Sequence, residues 1–149
     1  MELKNLFDPA VKQEILERIN RLTPQSQPHW GKMNVSQMLA HVQMPIGSAT
    51  GLHSIRRTLF GRIVGRFAKP MMYSEKPFKQ NLPTDPSFIM TGKEKEFSKE
   101  KENLVSLINS FQETSIVNEV HPFFGRFTRE QWSKAMYKHL DHHLRQFGV

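Results

Sequence analysis

The chain of 149 residues contains no cysteine. This absence excludes disulfide bonds, metal sites built from thiolates and a cysteine nucleophile, and it fits a protein of the reducing cytoplasm. The sequence also lacks an apolar run long enough to cross a bilayer, and its first residues lack the apolar segment of a signal peptide. We therefore expect a cytoplasmic protein without a transmembrane segment, folded as one domain over residues 1–149.

Acidic residues are absent from one basic stretch of the chain. Between Arg56 and Lys69 there are four arginines and one lysine, and this stretch supplies much of the net charge of +7. An anionic partner could bind such a segment. No helix-turn-helix, zinc-finger or RNA-binding signature accompanies it, so we do not expect nucleic acid as the partner.

Long alternating runs typical of β-strands are also lacking, and apolar residues recur instead at helical spacing in four long segments. Their predicted starts are marked by residues that cap helices: Asp8 before Pro9, Asn34 with Gln37 three residues later, Ser98, and Thr128 with Gln131. Pro45 is expected to kink the second of these helices. Four amphipathic helices without strands predict an all-α protein, a four-helix bundle.

Two further segments lie between the second and third bundle helices. Ser54 could cap a short basic helix over residues 55–68, in which Ile55, Leu59, Ile63 and Phe67 fall on one side and would pack on the bundle. A long connection over residues 69–92 follows, interrupted by four prolines and expected to hold little regular structure. A connection of this length in a small domain often has a function, for instance as the lid of a pocket.

Histidines are concentrated near the C-terminus, at His139, His142 and His143. His139 and His143 are four residues apart, so on a helix they lie one turn apart on the same face and could reach one metal ion. His142 is rotated away from that face. His41 lies beside the apolar face of the second helix and is a candidate for the third ligand. The alternative is that these histidines are hydrogen-bonded core residues or exposed cations.

Three motifs together resemble the DinB/YfiT-like superfamily of metal-dependent enzymes, and its DUF-type branch most closely. They are Trp30-Gly31-Lys32-Met33 before a helix with Met38-Leu39-Ala40-His41, then His121-Pro122-x-Phe124-Gly125-x-x-Thr128, and finally His139-x-x-His142-His143-x-x-Gln146. The resemblance covers most of residues 8–148. It implies a DinB-like four-helix bundle and a homodimer.

The resemblance also implies a divalent metal ion, zinc or nickel, held by His41, His139 and His143. His142 and Gln146 match the motif as residues that support the ligands. The candidate pocket groups are Gln37, His121 and Trp132. Three neutral imidazoles leave at least one coordination position for water or substrate, which is typical of a catalytic rather than a structural site.

The main functional hypothesis is therefore a metal-dependent enzyme that acts on a small molecule. It would activate a low-molecular-weight thiol, as an S-transferase does, or water, as a hydrolase does. The residues indicate no general base, because Asp141 is expected to point away from His139 and His143. The alternatives are a non-catalytic, metal-stabilised binding module that uses the basic segment 55–69, and a metal that only fastens two helices together.

Overall fold

The computed structural model describes residues 1–54, 59–84, 86–121 and 123–149, and the side chains of residues 59–64 and 66 lie outside that description. The described chain is mostly helical, which confirms the all-α class. Its α-helices are α1 (Pro9–Asn20), α2 (Val35–Ala49), α3 (Leu59–Met72), α4 (Phe97–Ser110) and α5 (Arg129–Gln146). The strands β1 (Val120–His121) and β2 (Gly125–Arg126) form a small antiparallel hairpin in which His121 pairs with Gly125.

Three predicted helix starts are confirmed by their caps. The Asp8 side chain accepts from the Ala10 N–H, and Pro9 opens α1. At α2 the Asn34 side chain accepts from the Gln37 N–H while the Gln37 side chain accepts from the Asn34 N–H, and Thr128 with Gln131 repeats this capping box at α5. Each cap satisfies backbone donors that the first turn leaves unpaired.

The predicted cap of α4 is wrong. Glu96, rather than Ser98, caps this helix, and its carboxylate accepts from the N–H groups of Ser98 and Lys99. A carboxylate at a helix N-terminus is also favoured by the helix dipole, which explains why Glu96 takes the position. The kink at Pro45 stays a prediction, and α2 continues through this residue to Ala49.

The core lies where α2 packs against α4 and α5, while α1 also contacts α4 and α5. Its apolar side chains include Leu39, Ile46, Leu104, Ile108 and Leu140, each at most 1% exposed. On the outer side of α5, Asp141 accepts from Arg18 at 2.9 Å, and this buried ion pair ties α1 to α5. The core therefore fixes α2 and α5 side by side.

The basic helix differs from its prediction. Residues 55–58 of the predicted helix lie outside the described residues, and α3 runs on through Pro70 to Met72. The described inward face of α3 carries Gly65, Lys69 and Met72, and a Cβ at Gly65 would collide with the Phe123 carbonyl. The Lys69 amine donates to the Arg126 carbonyl at 2.5 Å. Phe67, expected on the packed side, is 83% exposed.

The connection after α3 holds more structure than predicted. A one-turn 3-10 helix spans Pro86–Phe88, and both Phe88 and Met90 are buried. The end of the connection is therefore attached to the core through these two side chains, while residues 79–84 are exposed. In the described part of the chain, no helix is both long and apolar enough to cross a membrane.

Candidate metal centre

The structure brings His41 of α2 together with His139 and His143 of α5. Their ring centroids form a triangle with sides of 5.0 Å between His41 and His139, 4.7 Å between His41 and His143, and 4.8 Å between His139 and His143. One ligand nitrogen from each ring can be chosen so that all three lie within 4.8 Å of one another. The helical spacing of α5 and the packing of α2 on α5 produce this cluster.

Two of the three rings have a fixed tautomer. The Nδ1 atom of His41 lies 2.9 Å from the Phe88 carbonyl oxygen, and Nδ1 of His143 lies 2.7 Å from Oε1 of Gln146. Carbonyl oxygens only accept hydrogen bonds, so each Nδ1 carries the proton and donates it. The Nε2 atoms of His41 and His143 therefore keep their lone pairs, as in histidines that bind a metal and donate their other N–H to an acceptor.

His139 completes the cluster with an unsatisfied atom. Its Nε2 lies 3.1 Å from Nε2 of His41, while its Nδ1 is buried and has no hydrogen-bond partner. A buried polar nitrogen without a partner is costly, and three imidazoles share few protons among them. A cation bound at the facing nitrogen atoms would replace the contact between Nε2 of His41 and Nε2 of His139, and it would not supply a partner for Nδ1 of His139. The donor set is therefore compatible with a divalent metal ion.

Burial keeps the cluster neutral. Desolvation lowers the pKa of His41, and it lowers the pKa of His143 to about 3. The pKa of His139 lies well below its ordinary value because of burial and, next, the neighbouring histidines. Neutral imidazole is the form that binds metal ions. Among the described residues no carboxylate joins the three rings, and Asp141 is occupied by Arg18 and Arg145.

Gln146 supports His143 through a short relay. Its Oε1 accepts from His143, and its Nε2 donates to the Trp30 carbonyl at 2.5 Å. The Trp30 carbonyl thus fixes which end of the amide faces the imidazole. Gly31 allows this approach, because its φ is +84° and a Cβ there would lie 2.5 Å from the Gln146 amide nitrogen.

His142 lies outside the cluster and packs beside it. Its ring is between Trp30, at 5.7 Å, and Phe78, at 5.6 Å, and it meets the His143 ring edge-on at 5.0 Å. These contacts support the rings of α5 from the side. No metal-binding role follows for His142.

Comparison with known families shows the family to which the chain belongs. The model of a family described as "Protein of unknown function (DUF1569)" matches residues 4–148. The chain belongs to the DUF1569 family. Neither the search of curated proteins nor the search of solved structures found a match. The match includes the three clustered histidines of this DUF1569 chain and all of its described helices.

The three candidate pocket groups of the DUF1569 chain have structural contacts. Gln37 closes the α2 capping box and donates from Nε2 to the Lys93 carbonyl at 3.0 Å. Trp132 is fully buried in the core, and its Nε1 has no hydrogen-bond partner among the described residues. His121 accepts at Nδ1 from the N–H groups of Phe123 and Phe124 within the hairpin turn. That any of them contacts a substrate stays a prediction.

Two backbone carbonyl groups at this site were not predicted from the sequence. Phe88 and Trp30 contribute backbone oxygens, to His41 and to Gln146 respectively. Every residue carries a carbonyl, so no residue type marks such a role. Pro86 is the one available signal. Proline favours the first position of a turn, and the 3-10 turn that begins at Pro86 ends at Phe88.

His121 predicts an acid-sensitive stability of the DUF1569 chain. Burial lowers the pKa of His121 to about 3. Below pH of about 6.5 the unfolded chain binds a proton at this residue that the folded chain excludes, so stability falls as pH falls, by about 1.4 kcal/mol per unit. We expect the metal-free protein to lose about 1.4 kcal/mol more than His121→Asn between about pH 7.5 and about pH 5.5.

The measurement is denaturant unfolding of both proteins at both pH values. Asparagine can accept the same turn N–H groups but does not titrate, so it is the matched variant. Equal losses for the two proteins would contradict the assignment.

Proposed function

We propose that the chain is a metal-dependent enzyme in which His41, His139 and His143 hold one divalent ion, zinc or nickel, between α2 and α5. One observation carries the proposal: three neutral imidazoles converge, and two of them donate Nδ1–H to carbonyl acceptors so that their Nε2 atoms carry lone pairs. Donors outside the ligand set that fix the tautomer are typical of metal-binding histidines.

We further propose that α1, α2, α4 and α5 form the four-helix bundle of the DinB/YfiT-like superfamily. The pairwise contacts of α2 and α1 with both α4 and α5 support this arrangement. Core sites of such bundles are built from facing helices, as the histidines of α2 and α5 are here. The homodimer that the resemblance implies is part of the same proposal.

The bound ion would lower the pKa of a thiol or water, or polarise an electrophile. The chain's own residues set what could bind beside it. The three ligands are neutral and no described carboxylate joins them, so the positive charge of the ion would remain uncompensated. An anionic ligand is therefore favoured, and we propose a low-molecular-weight thiol or water that loses its proton on binding, with a small-molecule electrophile as the second substrate.

Activity assays with matched variants test the proposed function. Protein purified without a histidine tag is loaded with zinc or nickel and assayed with glutathione-like and bacterial thiols against a panel of electrophiles and hydrolysable esters. We expect turnover that a chelator or His139→Ala abolishes and that Gln13→Leu, an exposed change on α1, leaves intact. A chelator that lowers only the melting temperature, with no turnover of any substrate, would show that the metal is structural.

A second candidate function is binding to an anionic lipid surface through segment 55–69. One observation favours it: Phe67 is 83% exposed on α3, within a stretch that carries five basic residues and no acidic residue. Exposed aromatic residues among arginines are typical of helices that lie on membranes. The module would be non-catalytic, and a metal at the three histidines would serve its stability.

Vesicle binding distinguishes this candidate. We expect Phe67→Ser to weaken binding to phosphatidylserine vesicles about tenfold, because an apolar side chain leaves the lipid. The control Leu52→Ser removes another exposed apolar side chain, 67% exposed, outside the segment. This candidate would be excluded if the wild-type protein does not bind anionic vesicles. It would also be excluded if Leu52→Ser weakens binding as much as Phe67→Ser does.

A further inference from the structure

Lys138 is a fully buried lysine directly before His139. Its Nζ lies 2.5 Å from the Met71 carbonyl, 2.7 Å from the Ser74 carbonyl and 3.4 Å from the Ser74 hydroxyl. An ammonium group has three hydrogens to donate, so these acceptors satisfy it. The acceptors of Met71 and Ser74 lie at the C-terminal end of α3, where the last carbonyl groups of a helix lack partners within the helix. Lys138 therefore attaches the start of the long connection to α5.

The same amine also contacts the ring of Phe78. Nζ lies 4.5 Å from the ring centroid, within the range of a cation–π interaction. Phe78 also meets the His142 ring at 5.6 Å and 75°. Lys138 and His142 are four residues apart and share a stripe of α5, next to the stripe that carries His139 and His143. Phe78 therefore lies along α5 beside the candidate ligands.

The far end of the connection is attached beside the third ligand. The Phe88 carbonyl accepts from His41, and the Lys93 carbonyl accepts from Gln37 one turn before His41. The connection is thus held at its start by α5 and at its end by α2. In the described part of the connection, Phe78 contacts His142 beside the histidine cluster and Phe88 contacts His41 within it.

We propose that Lys138 is a positioning residue of the metal centre, which holds Phe78 against His142 so that the connection covers the ion and slows its loss to solvent. The inference rests on the proposed metal site. An apolar residue could fill the same volume, but it could neither bind three acceptors nor orient the Phe78 ring. Binding these acceptors and orienting the Phe78 ring explain why an ammonium group is buried at this position.

The experiment measures the rate at which a chelating dye removes zinc from loaded protein. Lys138→Met keeps the length of the side chain and removes its donors, and we expect zinc to leave about tenfold faster or more. Phe78→Ala removes the cover and leaves the hydrogen bonds of Lys138 to Met71 and Ser74 in place, and it should accelerate the loss similarly. The control Lys134→Met, one turn earlier on α5 and paired with the exposed Glu130, should release zinc at the wild-type rate.

Hydrogen exchange of the zinc-loaded proteins separates positioning from general stability. In Lys138→Met we expect faster exchange in residues 74–84 and 86–93, with α2 and α5 unchanged. The proposal would be overturned if Lys138→Met and Phe78→Ala both release zinc at the wild-type rate. It would also be overturned if hydrogen exchange in Lys138→Met rises equally along the chain. If Lys138→Met fails to fold, Phe78→Ala decides alone. A wild-type protein that binds no zinc would overturn the metal site itself, and the inference with it.

Discussion

Replacing His139 by alanine is expected to lower the affinity for zinc or nickel by more than about 100-fold, since loss of a residue that merely supports a ligand already costs about 10–100-fold. His139 contributes one of the three ring nitrogens of the cluster, and the cluster has no fourth ligand side chain among the described residues. The wild-type chain should bind one ion per chain, and competition with a chelator of known affinity measures the difference.

His142→Ala is the matched control for this prediction. It removes an imidazole from the same stretch of α5, but one that packs against Trp30 and Phe78 outside the cluster. We expect it to keep one ion per chain. The thermal shift gives an independent reading, because a ligand at about 100 times its Kd stabilises the folded state by about 2.7 kcal/mol. Equal loss of metal in His139→Ala and His142→Ala would contradict the ligand assignment.

The second large effect is expected at Asp141, on the opposite face of the same stretch. Its carboxylate is buried and accepts from Arg18, whose side chain is only 12% exposed. Asp141→Ala leaves the Arg18 guanidinium without its carboxylate in a nearly buried position. We expect a loss of about 3 kcal/mol, which corresponds to a fall in melting temperature of about 10 °C.

Denaturant and thermal unfolding measure this loss, and Glu130→Ala is the control. Glu130 pairs with Lys134 on the same helix, but its side chain is 65% exposed. Such an exposed pair contributes less than about 1 kcal/mol. Folded Asp141→Ala protein should still bind one ion per chain. A loss no larger than that of Glu130→Ala would show that the buried pair does not fasten α1 to α5.

Local chemistry made part of the fold predictable. Caps are encoded within four residues, so the pairs Asn34 with Gln37 and Thr128 with Gln131 marked the starts of α2 and α5 correctly. The one-turn spacing of His139 and His143 is equally local, and the structure places both rings in one cluster. These features depend on short-range geometry that a sequence displays directly.

Features that depend on tertiary packing were harder to predict. Phe67 was assigned to the packed side of α3 by its hydrophobicity, but the described inward face is made by Gly65, Lys69 and Met72. Hydrophobicity does not mark these positions as inward-facing, because Gly65 accommodates a backbone carbonyl and Lys69 donates a hydrogen bond to another element. The contact between His41 and α5 spans 98 residues, and the sequence indicated it only through the place of His41 beside an apolar face and through the family resemblance.

The long connection shows the same limit. Its prolines predicted a segment with little structure, whereas Phe88 and Met90 are buried and the Phe88 carbonyl orients His41. Proline content reports on helix propensity alone and carries no information about where the backbone carbonyls lie. The connection is therefore a part of the candidate site that sequence patterns could not assign.

X-ray absorption at the metal edge of zinc-reconstituted protein, purified without a histidine tag, tests the central claim most directly. We predict one zinc per chain with scattering from three imidazole rings, at zinc–nitrogen distances of about 2.0–2.1 Å. The remaining coordination should come from light atoms of solvent. A chain that takes up no zinc under these conditions, or a spectrum that requires fewer than three imidazoles, would contradict a metal centre formed by His41, His139 and His143.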